Sequence, residues 1–241
     1  MRDPRHILVT GASSGLGAAL ALAYAAPGVT LALHGRDAAR LERVAAQARA
    51  RGAEIHAHIG DVTDKPGMAA WVAACDARKP LDLVIANAGI SGGTSGGGES
   101  AAQAERIFAV NVGGVLNTVR PALASMTKRN RGQVAVMSSL ASFRGFPGAP
   151  AYCASKAAVR IYGEALRGAA ARDGIEVNVI CPGFVKTPLT DVNPFPMPCL
   201  MSAERAAHIV RQGLARNRAR IAFPWRMSML IRLFAALPQP L

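Results

Sequence analysis

Short apolar runs alternate with longer stretches of helical periodicity along this chain. Residues 6–10, 29–34, 54–58, 81–86, 133–137 and 175–181 read as strands. Between them, 16–26, 38–51, 68–78, 101–128 and 150–172 read as helices, with Leu41, Val44 and Ala48 at helical spacing in the second. Most of the strands are apolar on both faces rather than alternating, which is the pattern of a parallel sheet covered by helices on each side. The fold expected is therefore α/β: a single Rossmann-type, three-layer domain. A length of 241 residues suits one large domain over 1–241, and no internal repeat or boundary is visible. The low-complexity piece is a Gly/Ser loop over 91–98.

Composition narrows the class. At 51% hydrophobic residues the chain is not disordered, and four cysteines without a Cys-x-x-Cys pair do not make a disulfide scaffold. Cys75, Cys153, Cys181 and Cys199 read as buried or incidental thiols of a reducing cytoplasm. No secretory signal opens the sequence, and no stretch reaches about 18 uncharged apolar residues. The nearest, 221–237, is interrupted by Arg226 and Arg232. A cytoplasmic location follows as the expectation. The net charge of +13 is uneven: from Met201 onward seven arginines stand against Glu204 alone. Such an excess suits an anionic partner, or simply an Ala/Arg-rich composition. Few aromatics and no recognisable module argue against nucleic acid. The five histidines form no ligand cluster, so no metal is expected.

Thr10-Gly11-Ala12-Ser13-Ser14-Gly15-Leu16-Gly17 joins the first strand to the first helix. Glycines there let the backbone turn sharply and approach a pyrophosphate, while the helix N-terminus offers free N–H groups. Gly11, Ser13, Ser14, Gly15, Leu16 and Gly17 are thus candidate dinucleotide contacts. An acid at the end of the second strand would bind a ribose 2′-hydroxyl and repel a 2′-phosphate. This chain has His34-Gly35-Arg36 instead, and Asp37 reads as the cap of the next helix. Arg36 offers a guanidinium to a phosphate, so NADP(H) is expected over NAD(H).

Tyr152 and Lys156 stand at i and i+4 of one helix, hence on one face. An ammonium beside a phenol favours the phenolate, making the pair a candidate acid/base for a carbonyl or alcohol. Ser138-Ser139 ends the fifth strand, where a hydroxyl reaches the ligand crevice. Alternation lets only one of the two point there.

With these residues in place, the chain resembles the short-chain dehydrogenase/reductase family from about residue 5 to 225. Residues 10–17 match its phosphate-binding Thr-Gly-x-x-x-Gly-x-Gly. The resemblance implies the sheet order 3-2-1-4-5-6-7 and a hydride exchanged between a nicotinamide and a carbonyl or alcohol. Asp61 and Val62 match the adenine contact, and Asn87-Ala88-Gly89 the segment that steadies the sheet and borders the cofactor. Asn87 has a second reading, as a buried amide that satisfies backbone groups. Asn111, Ser139, Tyr152 and Lys156 match the catalytic tetrad; the spacing to Tyr152 selects Ser139 over Ser138. Pro182, Gly183, Val185 and Thr187 match the nicotinamide segment. By that likeness Tyr152 exchanges the proton, and Ser139 polarises the substrate oxygen. Lys156 lowers the tyrosine and binds the ribose, and Asn111 holds a relay water. Assembly as a homodimer or homotetramer is implied as well.

The substrate is not encoded by these motifs. Ser91, Phe143, Phe146 and Phe184 are pocket candidates. The loop 189–201 holds Pro194, Phe195, Pro196, Met197, Pro198, Cys199 and Leu200, apolar as a lid over an apolar or lipid-like substrate would be. Packing on a subunit would explain it too. Residues 225–237 read as a basic apolar helix, suited to weak peripheral contact with an anionic membrane at its inner face, or to a partner subunit. A non-catalytic NADP(H)-binding regulator is the rival function, and a complete tetrad argues against it.

Overall fold

The computed structural model describes residues 3–91, 99–191 and 195–237. Most of the expected Gly/Ser loop, and Pro194 of the expected lid, lie outside them.

Seven parallel strands form one sheet: β1 (His6–Thr10), β2 (Thr30–Gly35), β3 (Glu54–Ile59), β4 (Leu83–Ala86), β5 (Gly132–Met137), β6 (Ile175–Pro182) and β7 (Arg220–Phe223). Their order is β3-β2-β1-β4-β5-β6-β7, as expected. Successive residues of the central strands feed opposite cores. Ile7, Val9, Leu31 and Leu33 pack under α1 (Gly15–Tyr24), α2 (Ala38–Ala50) and α7 (Ala203–Ala215), through Leu20, Leu41 and Val210. Leu8, Ala32 and Val84 pack on the other face under α3 (Lys65–Arg78), α5 (Gly114–Lys128) and α6 (Pro150–Ala170), through Met68, Val119 and Val159. Each fully buried side chain of this size contributes about 1.5–3 kcal/mol. The chain steps outward from β1 to β3, then crosses back to β4, so the strand order reverses between β1 and β4. A crevice opens at the carboxyl ends there.

Two helices depart from the sequence pattern. The helix expected over 101–128 is α4 (Ala101–Phe108), a π-helical turn over Ala109–Gly113, and then α5. That run is long and apolar enough to cross a membrane by length and composition, yet Val115, Val119 and Met126 are core residues. Helix α7 escapes the sequence reading because its buried face is mostly small residues: Ala206, Ala207 and Gly213 are buried beside Val210 and Leu214, and the helix packs on α1. Cys199 is exposed, whereas Cys75, Cys153 and Cys181 are buried free thiols. Asp37 does cap α2, accepting from Arg40 N.

Candidate active site

A cleft of about 1240 Å³ runs along the carboxyl ends of the central strands. Ser139, Tyr152 and Lys156 of the expected tetrad border it, as do the six residues of the glycine-rich turn, whereas Asn111 lies buried behind the lining. The turn is fixed by what its glycines permit. Gly11 and Gly15 have φ of +66° and +55°, a region closed to most side chains. A β-carbon on Gly17 would lie 2.1 Å from the Gly11 carbonyl oxygen and 2.5 Å from Asn87 Nδ2. Asn87 braces this turn: its Nδ2 donates to the carbonyls of Thr10 (3.0 Å) and Gly11 (3.3 Å), while its backbone N–H donates to Thr10 Oγ1. It satisfies backbone groups and lines the cleft at once. Ser14 precedes α1 in extended conformation and its side chain caps nothing. The first-turn amides of α1 are left facing the cleft without a side-chain acceptor, which fits an anion such as a pyrophosphate.

Beyond the turn lie Gly35, Arg36, Asp61 and Val62. Burial works to raise the Asp61 carboxyl, but hydrogen bonds from Thr63 and the guanidiniums of Arg106 (2.8 Å) and Arg36 (3.9 Å) hold it below the usual range. Arg36 is largely exposed. Arg40, which the sequence reading passed over, lines the same end, tied to Asp37 at 2.6 Å. His34 is also there, 2% exposed, with neither ring nitrogen hydrogen-bonded. Its ring packs on Trp71 (5.2 Å) and on His58 (5.6 Å), its register partner across β2 and β3. Burial, and then His58, push His34 down to about 4, so it is neutral at pH 7.

The π-helical turn carries Asn111 inward, fully buried. Its Oδ1 accepts from Ile90 N (2.8 Å); its Nδ2 donates to Ile90 O and to Ser155 Oγ, both at 3.0 Å. Ser155, inside the Tyr-to-Lys spacing, in turn donates to Tyr152 O (2.8 Å). Lys156 is buried and donates to Met137 O (3.0 Å), with Nζ 5.8 Å from the Tyr152 ring centre. Gly89 permits this crowding: a β-carbon there would lie 3.0 Å from Lys156 Nζ and 3.2 Å from Asn111 Oδ1. Of the paired serines, Ser138 is buried and donates to the Lys156 carbonyl (2.8 Å), while Ser139 stands at the cleft beside Tyr152. Glu99, with no motif to flag it, accepts from the N–H groups of Ala151 and Tyr152 and so caps α6 from a distance.

Burial dominates the electrostatics of the Tyr152–Lys156 pair. Burial raises the Tyr152 phenol above its ordinary value, and a hydrogen bond with Ser139 only partly offsets this. Burial also depresses Lys156 to about 8.

The segment after β6 closes over the turn. Thr187 lies against Gly15, and Thr190, also unforeseen, clips the loop by donating to Val185 O (2.7 Å). Pro182, Gly183, Val185 and Thr187 all line the cleft. At the far end stand Ser91, Phe146 and Phe184, the last edge-on to Phe195. Phe143 does not line the cleft: its ring lies under the guanidiniums of Arg160, Arg220 and Arg232, at 4.7, 5.3 and 5.4 Å. In its place α8 (Trp225–Ala236) supplies Met227, Leu230, Ile231 and Phe234. Among the described residues, no three His, Cys, Asp or Glu side chains gather as metal ligands.

Known proteins agree with this geometry. Residues 5–194 match the family model described as short chain dehydrogenase. An uncharacterized oxidoreductase of Myxococcus xanthus is 40% identical over 238 residues, 98% of this chain and 94% of that protein. One from Mycobacterium tuberculosis is 34% identical, covering 97% and 94%. Among solved structures, a short-chain dehydrogenase/reductase of Burkholderia phymatum in complex with NAD aligns with a TM-score of 0.87 at 26% identity, over 96% of this chain and 93% of that one. A short-chain dehydrogenase of Sphingobium yanoikuyae in complex with NADPH shares the fold with a TM-score of 0.83 at 24% identity, over 97% and 96%. The family match spans the glycine-rich turn, the serine–tyrosine–lysine cluster and the segment after β6, and the chain is an oxidoreductase of the short-chain dehydrogenase family.

Proposed function

We propose that this protein transfers a hydride between NADP(H) and the carbonyl or alcohol carbon of an apolar small molecule. The observation that carries the reading is convergence: Ser139, Tyr152 and Lys156 meet the open N-terminus of α1 in one cleft. The bound nicotinamide supplies or accepts the hydride. Tyr152, raised by burial, keeps its proton at neutral pH and is suited to give it to a substrate oxygen during reduction. Ser139 donates a hydrogen bond to that oxygen. Lys156 holds a ribose hydroxyl and steadies the tyrosine's charge once the proton has left. Asn111, which approaches Lys156 across Gly89, would hold the water of a proton relay.

Arg36 at the end of β2, with Arg40 beside it and no carboxylate at Gly35, supports NADP(H). Phe146, Phe184 and the α8 side chains support an apolar substrate, with residues 189–201 as its lid. Four free cysteines support a reducing cytoplasm. Exposed Phe108 and Ile161, on the packed helices α4 and α6, support self-association as a dimer or tetramer.

A panel of ketones, aldehydes and alcohols, offered with NADPH and with NADH, tests the reading. Turnover with NADPH preferred is expected. NADPH binding without turnover of any compound would instead indicate a regulator. Arg36→Ala should weaken NADPH by roughly 1–3 kcal/mol and leave NADH nearly unchanged, as titration calorimetry would read.

A further inference from the structure

Helix α8 does two things at once. Its inner residues Met227 and Ile231 pack on the second core, and Ser228 is buried. Its outer surface is apolar to an extent matched by no other helix among the described residues. Trp225, Met229, Leu233 and Leu237 follow one another at i+4 and are 65%, 63%, 63% and 52% exposed. A second row, Arg226, Leu230 and Phe234, runs beside the first, and Leu230 and Phe234 also line the mouth of the cleft. The helix holds two arginines and no acid. Arg226 lies over the ring of Trp225 at 5.4 Å, and Arg144 donates to the carbonyl of Phe234 at the other end.

We propose that this face docks on an anionic lipid bilayer, so that the cleft mouth opens at the membrane and draws its substrate from it. The charge selects this occupant. The helix and its neighbour Arg144 present only cations, in a chain of net charge +13. A second copy related by a twofold axis would set arginines against arginines around the apolar rows. A bilayer with acidic headgroups meets both parts of the surface, with the rows entering the acyl boundary and the guanidiniums at headgroup level. Tryptophan beside arginine is the pairing such a boundary favours. The proposal deepens the apolar-substrate reading, because Leu230 and Phe234 belong to both surfaces. Vesicle binding, however, is read without turnover, so the two stand or fall separately.

Vesicle co-sedimentation of the NADPH-loaded protein tests it, with phosphatidylcholine vesicles against vesicles that also carry phosphatidylglycerol. Binding to the anionic vesicles is expected, weakened by high salt, with little to the neutral ones. A Met229→Glu/Leu233→Glu double variant touches no cleft residue. It should bind the anionic vesicles at least about tenfold more weakly, with an unchanged unfolding midpoint. Equal binding to both vesicle types overturns the proposal, as does binding to neither, or a variant that binds like wild type. A wild type indifferent to vesicles, with a variant of altered oligomer size, would show that the face meets a subunit instead.

Discussion

The cofactor end of the cleft and its α8 end border the same crevice but are held in opposite ways. At the cofactor end the backbone is the constraint. Gly11, Gly15 and Gly17 take positions that a β-carbon would strain or block, and Thr10 and Asn87 answer one another's polar groups. At the α8 end side chains are the constraint. The wall is a row of methionine, leucine, isoleucine and phenylalanine side chains, many of them exposed on their outer side. Several apolar residues would serve at each of those positions, whereas a single residue type serves at Gly17. The first end is therefore uniform in demand and rigid; the second is free to suit a particular substrate or surface.

Substitutions can break that contrast. The largest effect is expected between the two ends, at Lys156. Lys156→Met should lower turnover by about 10²–10⁴-fold, checked by steady-state kinetics. Because burial holds this ammonium at about 8, kcat/KM of the wild type should fall as pH rises through that value. Lys156→Arg should move that fall upward.

At the cofactor end, Gly17→Ala places a methyl group 2.1 Å from the Gly11 carbonyl. It should cost about 2–3 kcal/mol in denaturant unfolding and abolish tight NADPH binding. His34 gives a smaller effect with a defined sign. Its folded value of about 4 lies below the ordinary 6.5, so the unfolded chain takes the proton first. Stability is complete above 6.5 and is lost as pH falls towards 4. Replacing the residue, as in His34→Phe, should flatten the acid limb of the stability–pH curve. Least of all, Met229→Ser on the outer face of α8 should change stability by no more than about 0.5 kcal/mol. A cost as large as that at Gly17 would mean that the two ends are not differently held.

The same contrast explains what could be read from the sequence. The first six strands, the glycine-rich turn and the Tyr152–Lys156 spacing were legible because each is forced by local geometry, whereas the sheet order was implied by the family resemblance. The π-helical turn at Asn111 was not, because an apolar run with helical spacing looks the same with or without one extra residue in the turn. Helix α7 hid behind its small residues. Glu99 and Thr190 act through contacts to distant or loop backbone that leave no periodic trace. Phe143 was misplaced because an aromatic residue a few positions past Ser139 can face the cleft or an arginine cluster, and only packing decides. His34 was legible in principle: its alternation with the histidines of β3 sets it opposite His58.

The proposed reaction turns on Tyr152 as the proton donor at the meeting point of the two ends. Single-turnover oxidation of bound NADPH by a reactive ketone, in wild type and Tyr152→Phe, tests this most directly. A rate lower by about 10²–10⁴-fold is expected in the variant, with NADPH affinity little changed. Equal rates in the two proteins would contradict it.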